Sequence, residues 1–509
     1  MAVDFSSLAP NTPIVVGAGQ HVERDVGTTS HLAMATRAAA MAVSDCGGTG
    51  IVENIDTICA IRLFSDSAPN WQSDLGRSNN PPESIATAIG ASPRHRIYSH
   101  AGGNEPQALL MEFFSDIAAG EREMVLLAGA EALRNQRKAQ QQGLHLDWNE
   151  EFTAPLEDRG IGNIYPDPQE IANGMVMPLH YYTLIEQARR NDLGMSREAY
   201  LDETTKLMAS FSEIASNNSY AQWPGAISAA QIRDAEPLTH LYTKRMIAQD
   251  SVNQGAALLL TSVAKARELG IPEDRWVFMH GAAQGTDVDV SVRPTPGTSV
   301  VAGNVLDKAM DMAGCKPADM DLIDIYSCFP CAVSEISDHL GLPADGSVPL
   351  TLTGGLPFFG GPGNNYSMHG IAEMVWQLRK APEQRGLVHA NGGFLTKHAA
   401  GIFSCVPSTI DWATVETRIS PDATTSCERA NNPETGVVIS YCVNFYKGTP
   451  ATAIVLAETD AGQRFVCCTA PTDTDTAQRV LAADPTGERV AVVPGEQEHN
   501  WHLRLVSNS

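Results

Sequence analysis

The sequence repeats itself over long range, and that repetition restricts the folds open to it. An apolar run ends in Gly17-Ala-Gly-Gln20, and a second, Trp276-Val-Phe-Met-His280, ends in Gly281-Ala-Ala-Gln284. Each reads as a strand closing on a glycine turn. A helical stretch ending near Asp45-Cys-Gly47 and the run Ile55-Asp-Thr-Ile-Cys59 follow the first; a helical stretch ending near Gly314-Cys315 and the run Leu322-Ile-Asp-Ile325 follow the second. The intervals Gln20 to Asp56 and Gln284 to Asp324 are 36 and 40 residues. Gly103-Asn104, a helix and the strand Met124-Val-Leu-Leu-Ala128 are then matched by Gly363-Asn364, a helix and the strand Gly386-Leu-Val-His-Ala390. Three correspondences in register predict a duplicated α/β unit whose strands, written as short apolar runs, are covered by helices on both faces.

At 509 residues the chain exceeds one ordinary core, and 43% hydrophobic with 18% charged residues is a globular composition. A formal charge of -24 repels phosphate over most of the surface, so neither nucleic acid nor an anionic membrane is an expected partner. The start, MAVDFSSLAPNTP, has no basic region before an apolar core, and no run approaches a membrane span. A cytoplasmic protein is expected, and ten scattered cysteines suit that reducing compartment. Cys328-Phe-Pro-Cys331 has redox or metal spacing, but without a second CxxC or a spaced His pair no metal is expected.

Residues 133–244 are polar, rich in Asn, Gln, Asp and Pro, and read as an inserted loop domain covering a substrate. Residues 417–435 have linker composition. Beyond them Gly436-Val-Val-Ile-Ser-Tyr-Cys-Val-Asn-Phe-Tyr446, Ala453-Ile-Val-Leu-Ala457, Arg464-Phe-Val-Cys-Cys468 and Arg489-Val-Ala-Val-Val493 predict a small antiparallel, OB-like barrel. Six Lys/Arg against ten Asp/Glu in 428–509 weaken a nucleic-acid role for it. The expected division is therefore 1–132 with 245–270 as the first half, 133–244 as the loop domain, 271–416 as the second half, 417–435 as linker and 436–509 as barrel.

Three segments carry a family resemblance. Met124 to Ala132, MVLLAGAEA, resembles the VAGGMES strand and turn of thiolases; Gln254-Gly-Ala-Ala-Leu-Leu-Leu260 resembles their DGAAAL strand; Asn218-Ser-Tyr-Ala-Gln222 resembles the NPYAQ segment of sterol-carrier-protein-type thiolases. Their order along about 400 residues identifies the chain as similar to the thiolase superfamily. The resemblance implies two α/β halves forming a five-layered αβαβα core, a loop domain that helps hold coenzyme A, and acyl-CoA as ligand, with no permanently bound cofactor. The C-terminal barrel is an addition resembling the small OB-like partners of some thiolase-like proteins. Thiolases are dimers or tetramers, but an added domain can replace that interface, so homodimer and monomer both stay open.

The same resemblance shows what is missing. Counting back from Glu131 puts Gly103 where the nucleophilic cysteine stands; aligning on the glycines puts His100 there. The family's Asn or His of NEAF or HDCF is matched by Tyr326 in Tyr326-Ser-Cys-Phe329, its GHPxG histidine by Gly361 in Gly360-Gly-Pro-Gly363, and its second cysteine by Ala390 in Ala390-Asn-Gly-Gly393. All four depart from the pattern, so ordinary thiolysis is expected to be lost. Glycine turns and helix starts at Gly103, Asn104, Gly361, Gly363, Asn391 and Gly392 are implied to hold coenzyme A, with Lys397 and His398 placed for its phosphates. Tyr326, Tyr366, His369, His100 and Cys328 are the candidate catalytic side chains, and Glu105 also comes from a pocket segment. Three functions follow: an acyl-CoA-binding relative of the acyltransferases, in lipid metabolism; a retro-aldol lyase on β-hydroxyacyl-CoA using Tyr and His as acid and base; or a non-catalytic CoA-binding scaffold. GxSxG, HExxH and P-loop signatures are absent, and Gly17-Ala-Gly19 is an incomplete dinucleotide fingerprint.

Overall fold

The computed structural model describes residues 5–68, 71–163, 166–420 and 425–505. Strands β1 (Pro13–Val22), β2 (Thr57–Ala60), β3 (His95–Tyr98), β4 (Met124–Glu131), β5 (Glu157–Asp158) and β6 (Gln254–Ser262) form a sheet of order β1-β6-β4-β2-β3-β5. Strands β7 (Phe278–Thr286), β8 (Leu322–Ile325), β9 (Arg385–Gly392) and β10 (Lys397–Ser404) form a second, of order β7-β10-β9-β8. The duplication is exact in connectivity: β1/β6 and β6/β4 are antiparallel and β4/β2 parallel, as β7/β10 and β10/β9 are antiparallel and β9/β8 parallel. The sheets meet where Val15 and Val277 exchange both backbone hydrogen bonds, at 2.9 and 3.0 Å.

The glycines that opened the sequence argument are not turns. Gly17 and Gly19 lie inside β1, and Gly281 inside β7. A Cβ at Gly17 or Gly19 would stand 2.2 Å from the carbonyl oxygen of Ala42 or Ala38, and one at Gly281 2.0 Å from that of Ala309. Their function is close approach: they let the outer helices His31–Asp45 and Val300–Ala313 settle backbone to backbone on the strands. Alanines at 38, 39 and 42 serve the same end from the helix side.

Side-chain alternation then sorts the layers. Ile14 and Val16 pack with Ala35 and Ala38 of the outer helix, while Val15 between them packs inward. The inward cluster joins Leu127 and Leu258 of the first sheet to Val388 and Phe403 of the second through Leu109, Phe113, Met368 and Ile371. Those four belong to helices Glu105–Ala119 and Tyr366–Lys380, which form the middle of five layers. Burying each such side chain stabilises by roughly 1.5–3 kcal/mol. The first of these helices carries Pro106 in its opening turn and stops at Gly120, whose φ of +76° suits glycine.

Strands β11 (Thr435–Tyr446), β12 (Thr449–Glu458), β13 (Arg464–Cys468), β14 (Arg489–Pro494) and β15 (Trp501–Leu505) close a barrel of order β11-β12-β13-β15-β14. The helix Thr474–Ala483, between β13 and β14, and strand β15 go beyond the sequence expectation, and β13 meets β15 in parallel. Tyr441, Val455, Phe465 and Trp501 fill the interior. The outer face is equally apolar: Cys442, Ile454, Leu456 and Val466 share a cluster with Met175, Tyr181, Leu184 and Ile185 of the inserted segment. His240 N–H donates to the Val443 carbonyl (3.0 Å) and Phe445 N–H to that of Leu238 (2.9 Å), extending β11 into the insertion. The expected linker begins as structure, because Gln284 N–H donates to the Thr417 carbonyl (2.9 Å) and Ile419 N–H returns to Gln284 (2.8 Å); its residues 421–424 lie outside the described set. Among the described residues no helix is long and apolar enough to cross a membrane.

Candidate functional site

The first central helix begins at Glu105, directly after Gly103-Asn104, so its unpaired N–H groups and dipole point at this spot. A Cβ at Gly103 would lie 2.3 Å from the Tyr326 hydroxyl oxygen, 2.5 Å from its Cζ and 2.6 Å from the Asn391 carbonyl. The space for a side chain is thus taken by a phenol from just beyond β8. Tyr326 N–H donates to the His389 carbonyl (3.1 Å), and the ring stands edge-on to Tyr366 at 5.2 Å. Burial, with Cys328 beside it, raises the phenol well above its ordinary range. Two buried polar atoms of neighbouring residues are unpaired: Asn104 Oδ1 and Asn391 Nδ2. Gly392 completes the contact, since a Cβ there would stand 2.2 Å from Asn104 Oδ1.

Tyr366 and His369 lie one turn apart on the second central helix but serve different networks. The hydroxyls of Tyr366 and Thr353 are 2.6 Å apart; Thr353 continues to Thr351 (3.2 Å), whose hydroxyl donates to Asp324 Oδ1 (2.9 Å). Burial pushes Asp324 up to about 6, against hydrogen bonds that favour its carboxylate, and raises the Tyr366 phenol. His369 Nδ1–H donates to Gln20 Oε1 (2.6 Å), and Gln20 Nε2 donates to Glu373 Oε1 (2.9 Å). The other ring nitrogen, Nε2, is buried without a partner, and burial pulls the imidazole down to about 3.

The insertion covers this region with aromatic side chains that the sequence reading did not single out. On helix Pro178–Asp192, Tyr181 stacks on Phe394 at 3.9 Å and Tyr182 on Phe329 at 4.1 Å. The Tyr182 hydroxyl donates to Asn391 Oδ1 (3.2 Å). Adjacent Tyr-Tyr in a polar stretch was the available signal. Glu186, one turn on, accepts from the Tyr242 hydroxyl (2.5 Å), the Tyr200 hydroxyl and the Cys331 N–H (2.8 Å). Cys328 sits beneath, its thiol pushed by burial up to about 12, which leaves it protonated. Segment 248–249 closes the side: Ala248 N–H donates to the Cys328 carbonyl (2.9 Å), Gln249 N–H to that of Leu356 (3.2 Å), and Gly361 N–H to that of Gln249 (2.8 Å).

The remaining candidates divide. His100 and Lys397 are half-buried, near Glu105 at the helix start: His100 Nδ1 is 3.3 Å from the Gly160 carbonyl, and Lys397 Nζ reaches the Ala101 carbonyl at 3.5 Å. Burial raises Glu105 and lowers Lys397, and each offsets part of that shift in the other. His398 does not join Lys397, because successive residues of β10 face opposite ways. It is buried on the other face, with Nδ1 3.3 Å from His389 Nε2 and Nε2 3.3 Å from Ser299 Oγ, and its imidazole is pulled down to about 3. Contact with a phosphate is closed to it there. Gly363 and Asn364 bind protein: a Cβ on Gly363 would stand 2.6 Å from Glu131 Oε1, and Asn364 accepts from Gly102 N–H (3.0 Å) and donates to the Arg62 carbonyl (2.8 Å).

Chemically, then, the helix start carries no nucleophile and is ringed by a phenol and by an amide donor and an amide acceptor that are both unpaired. Among the described residues no cluster of His, Cys, Asp and Glu could hold a metal ion.

Comparisons agree with this architecture. Residues 284–405 match the family described as thiolase C-terminal domain-like. The acetyl-CoA acetyltransferase of Methanocaldococcus jannaschii is 22% identical over 337 residues, covering 62% of this chain and 80% of that protein. The Ltp2-ChsH2(DUF35) aldolase matches with a TM-score of 0.57 at 18% identity, over 78% of this chain and 98% of that one, a likeness of fold. The crystal structure of a monomeric SCP2-thiolase like protein type 1 from Mycobacterium smegmatis matches with a TM-score of 0.82 at 35% identity, over 98% of this chain and 100% of that one. With that identity over nearly the whole of both chains, the chain belongs to the SCP2-thiolase-like proteins of the thiolase superfamily.

Proposed function

We propose that this protein binds acyl-CoA thioesters between its two halves and carries out no acyl transfer through cysteine. The observation that carries this reading is the Tyr326 phenol standing where a side chain on Gly103 would project. Tyr326 Oη and Asn391 Nδ2 are donors suited to a thioester carbonyl, and Asn104 Oδ1 is an acceptor suited to a pantetheine amide. Lys397, half-buried at the rim, supplies positive charge. An acyl-CoA ligand also agrees with the acetyl-CoA acetyltransferase relative. We further take the chain to act in cytoplasmic acyl-CoA metabolism and, like its Mycobacterium smegmatis relative, to be monomeric. The test is incubation with free CoA and a panel of 3-ketoacyl-CoA and 3-hydroxyacyl-CoA thioesters, read by mass spectrometry beside calorimetric titration. Binding without consumption is expected; a shortened acyl-CoA from a ketoacyl substrate would refute it, as would absence of binding to every thioester.

The protonated Tyr326 phenol beside the helix start also supports a second reading, a retro-aldol lyase, in line with the fold likeness to the Ltp2-ChsH2(DUF35) aldolase. Cleavage needs a base for the substrate hydroxyl and a donor for the enolate oxygen. Tyr326 fits the donor. The base is the weak point: both tyrosines stay protonated, and an imidazole pulled down to about 3 binds a proton poorly. A carbonyl product from a 3-hydroxyacyl-CoA, abolished by Tyr326→Phe, would place this reading first.

A further inference from the structure

Away from Gly103, a groove of about 720 Å3 runs between the end of helix Arg197–Ser216 and the outer half of helix Tyr366–Lys380. Its walls carry Arg275, Arg379 and Lys380 against a single carboxylate, Glu373, in a chain whose net charge is -24. Cations in the last turn of a helix complement its dipole, and that alone accounts for Arg379 and Lys380. Arg275 comes from another element and is drawn to Asp45 and Asp274, but nothing of this kind accounts for the aromatic pair beside them. Tyr220 and Trp376, both partly exposed, face each other with ring centroids 5.5 Å apart and planes inclined by 30°.

The charges are arranged rather than scattered. Arg379 is fixed by Asp45 (2.5 Å) and by the carbonyls of Val16 (2.9 Å) and Arg275 (2.6 Å). Glu373 is turned inward: its Oε1 accepts from Gln20 Nε2 (2.9 Å) and Asn218 Nδ2 (3.0 Å). Arg275 is itself paired with Asp45 (3.6 Å) and Asp274 (3.8 Å), which leaves exposed Lys380 as the groove's cation outside an ion pair among the described residues. Flat aromatic faces next to cations suit a ligand that is planar at one end and anionic at the other.

We propose that this groove binds an adenine nucleotide, the base against Tyr220 and Trp376 and the phosphates against Arg275 and Lys380. The site is separate from the cleft at Gly103. The hydrogen bonds Glu373–Gln20–His369 run from its wall to the start of the central helix.

Calorimetric titration of the full chain with ADP, CoA and pantetheine tests the assignment. ADP binds the wild type, and Trp376→Ala, Arg275→Glu and Lys380→Glu each weaken it about tenfold, a loss of the size expected for one stacking or charge contact. Binding of pantetheine, which lacks the nucleotide, is unchanged in all three. CoA competing with ADP identifies the source as the nucleotide end of CoA; CoA and ADP binding together identify a free nucleotide. No ADP binding at millimolar concentration, or ADP binding indifferent to all three substitutions, overturns the proposal. Loss of pantetheine binding bears on the cleft alone, so the two readings fail separately.

Discussion

Placing a methyl group on Gly103 tests the packing argument at its narrowest point. In Gly103→Ala the new Cβ meets the Tyr326 hydroxyl at 2.3 Å, its Cζ at 2.5 Å and the Asn391 carbonyl at 2.6 Å, all inside van der Waals contact. The φ of Gly103 is not among the positive values, so the cost is overpacking rather than backbone strain. Forcing an extra carbon into a filled core costs about 1–3 kcal/mol, and three simultaneous close contacts argue for about 2. Two of the three belong to one ring. Removing it with Tyr326→Val leaves only the backbone carbonyl, so in that background Gly103→Ala should cost about 1 kcal/mol, a coupling of about 1 kcal/mol between the sites. Urea denaturation of wild type, both single variants and the double variant measures this through midpoint and slope. Tyr326→Phe is the intermediate case: the hydroxyl contact goes and Cζ remains at 2.5 Å, so the Gly103→Ala penalty should fall only part of the way toward its value in Tyr326→Val. Equal penalties in the wild-type and Tyr326→Val backgrounds would refute the reasoning, as would a Gly103→Ala protein as stable as wild type. Gly103→Cys, on the same grounds, destabilises without conferring thiolysis.

Cys328, pushed up to about 12, is less than about one part in ten thousand thiolate at pH 7.5. Iodoacetamide followed by peptide mapping should leave it intact while the less buried Cys315, Cys427 and Cys468 react; labelling of Cys328 at the same rate would contradict its burial. Asp324 is raised to about 6, so the folded protein keeps this proton to higher pH than the unfolded chain does. Its stabilising contribution is complete below about pH 4 and is lost as pH rises through about 6; relative to Asp324→Asn, wild type should lose up to about 3 kcal/mol across that window in denaturation curves. At the barrel seam, buried Arg190 is held by Asp484 at 2.7 and 2.6 Å. Asp484→Asn keeps the φ of +48° tolerable yet leaves the guanidinium without its counter-charge. A loss of about 2 kcal/mol, below the value for a fully buried pair because Asp484 is one-third exposed, should appear as faster tryptic release of the barrel.

The duplicated core was legible because its strands are buried on both faces and therefore written as uniform apolar runs, in the same order twice. What those runs concealed was the work of Gly17, Gly19 and Gly281. A glycine after an apolar run looks the same whether the chain turns or a helix presses against it, and only the position of Ala38, Ala42 and Ala309 tells the two apart. β13 and β15 are equally short, but β13 carries the continuous apolar run Phe465 to Cys468, whereas β15 alternates Trp501 and Leu503 inward with polar His502 and Arg504 and does not stand out. At the site, the helix start and the departures at Gly103 and Tyr326 came from the resemblance. The tight meeting of those two residues could not, since 223 positions separate them and neither is unusual in its own neighbourhood. Lys397-His398 was read as a unit, and strand geometry splits it. Tyr181 and Tyr182 were overlooked because an aromatic pair in a polar insertion carries no period.

Helix Pro178–Asp192 is shared property. One side sends Tyr181, Tyr182 and Glu186 to the core, and the other gives the Leu184 carbonyl to Ser440 and Arg190 to Asp484 on the barrel. These two sets of anchors interleave within three turns of one rod. Rotating or lifting it far enough to uncover Asn391 therefore strains its grip on the barrel unless the barrel travels too. The barrel thus serves as the anchor of the helix that lies over Asn391, and its own packing bears on the cover of the cleft.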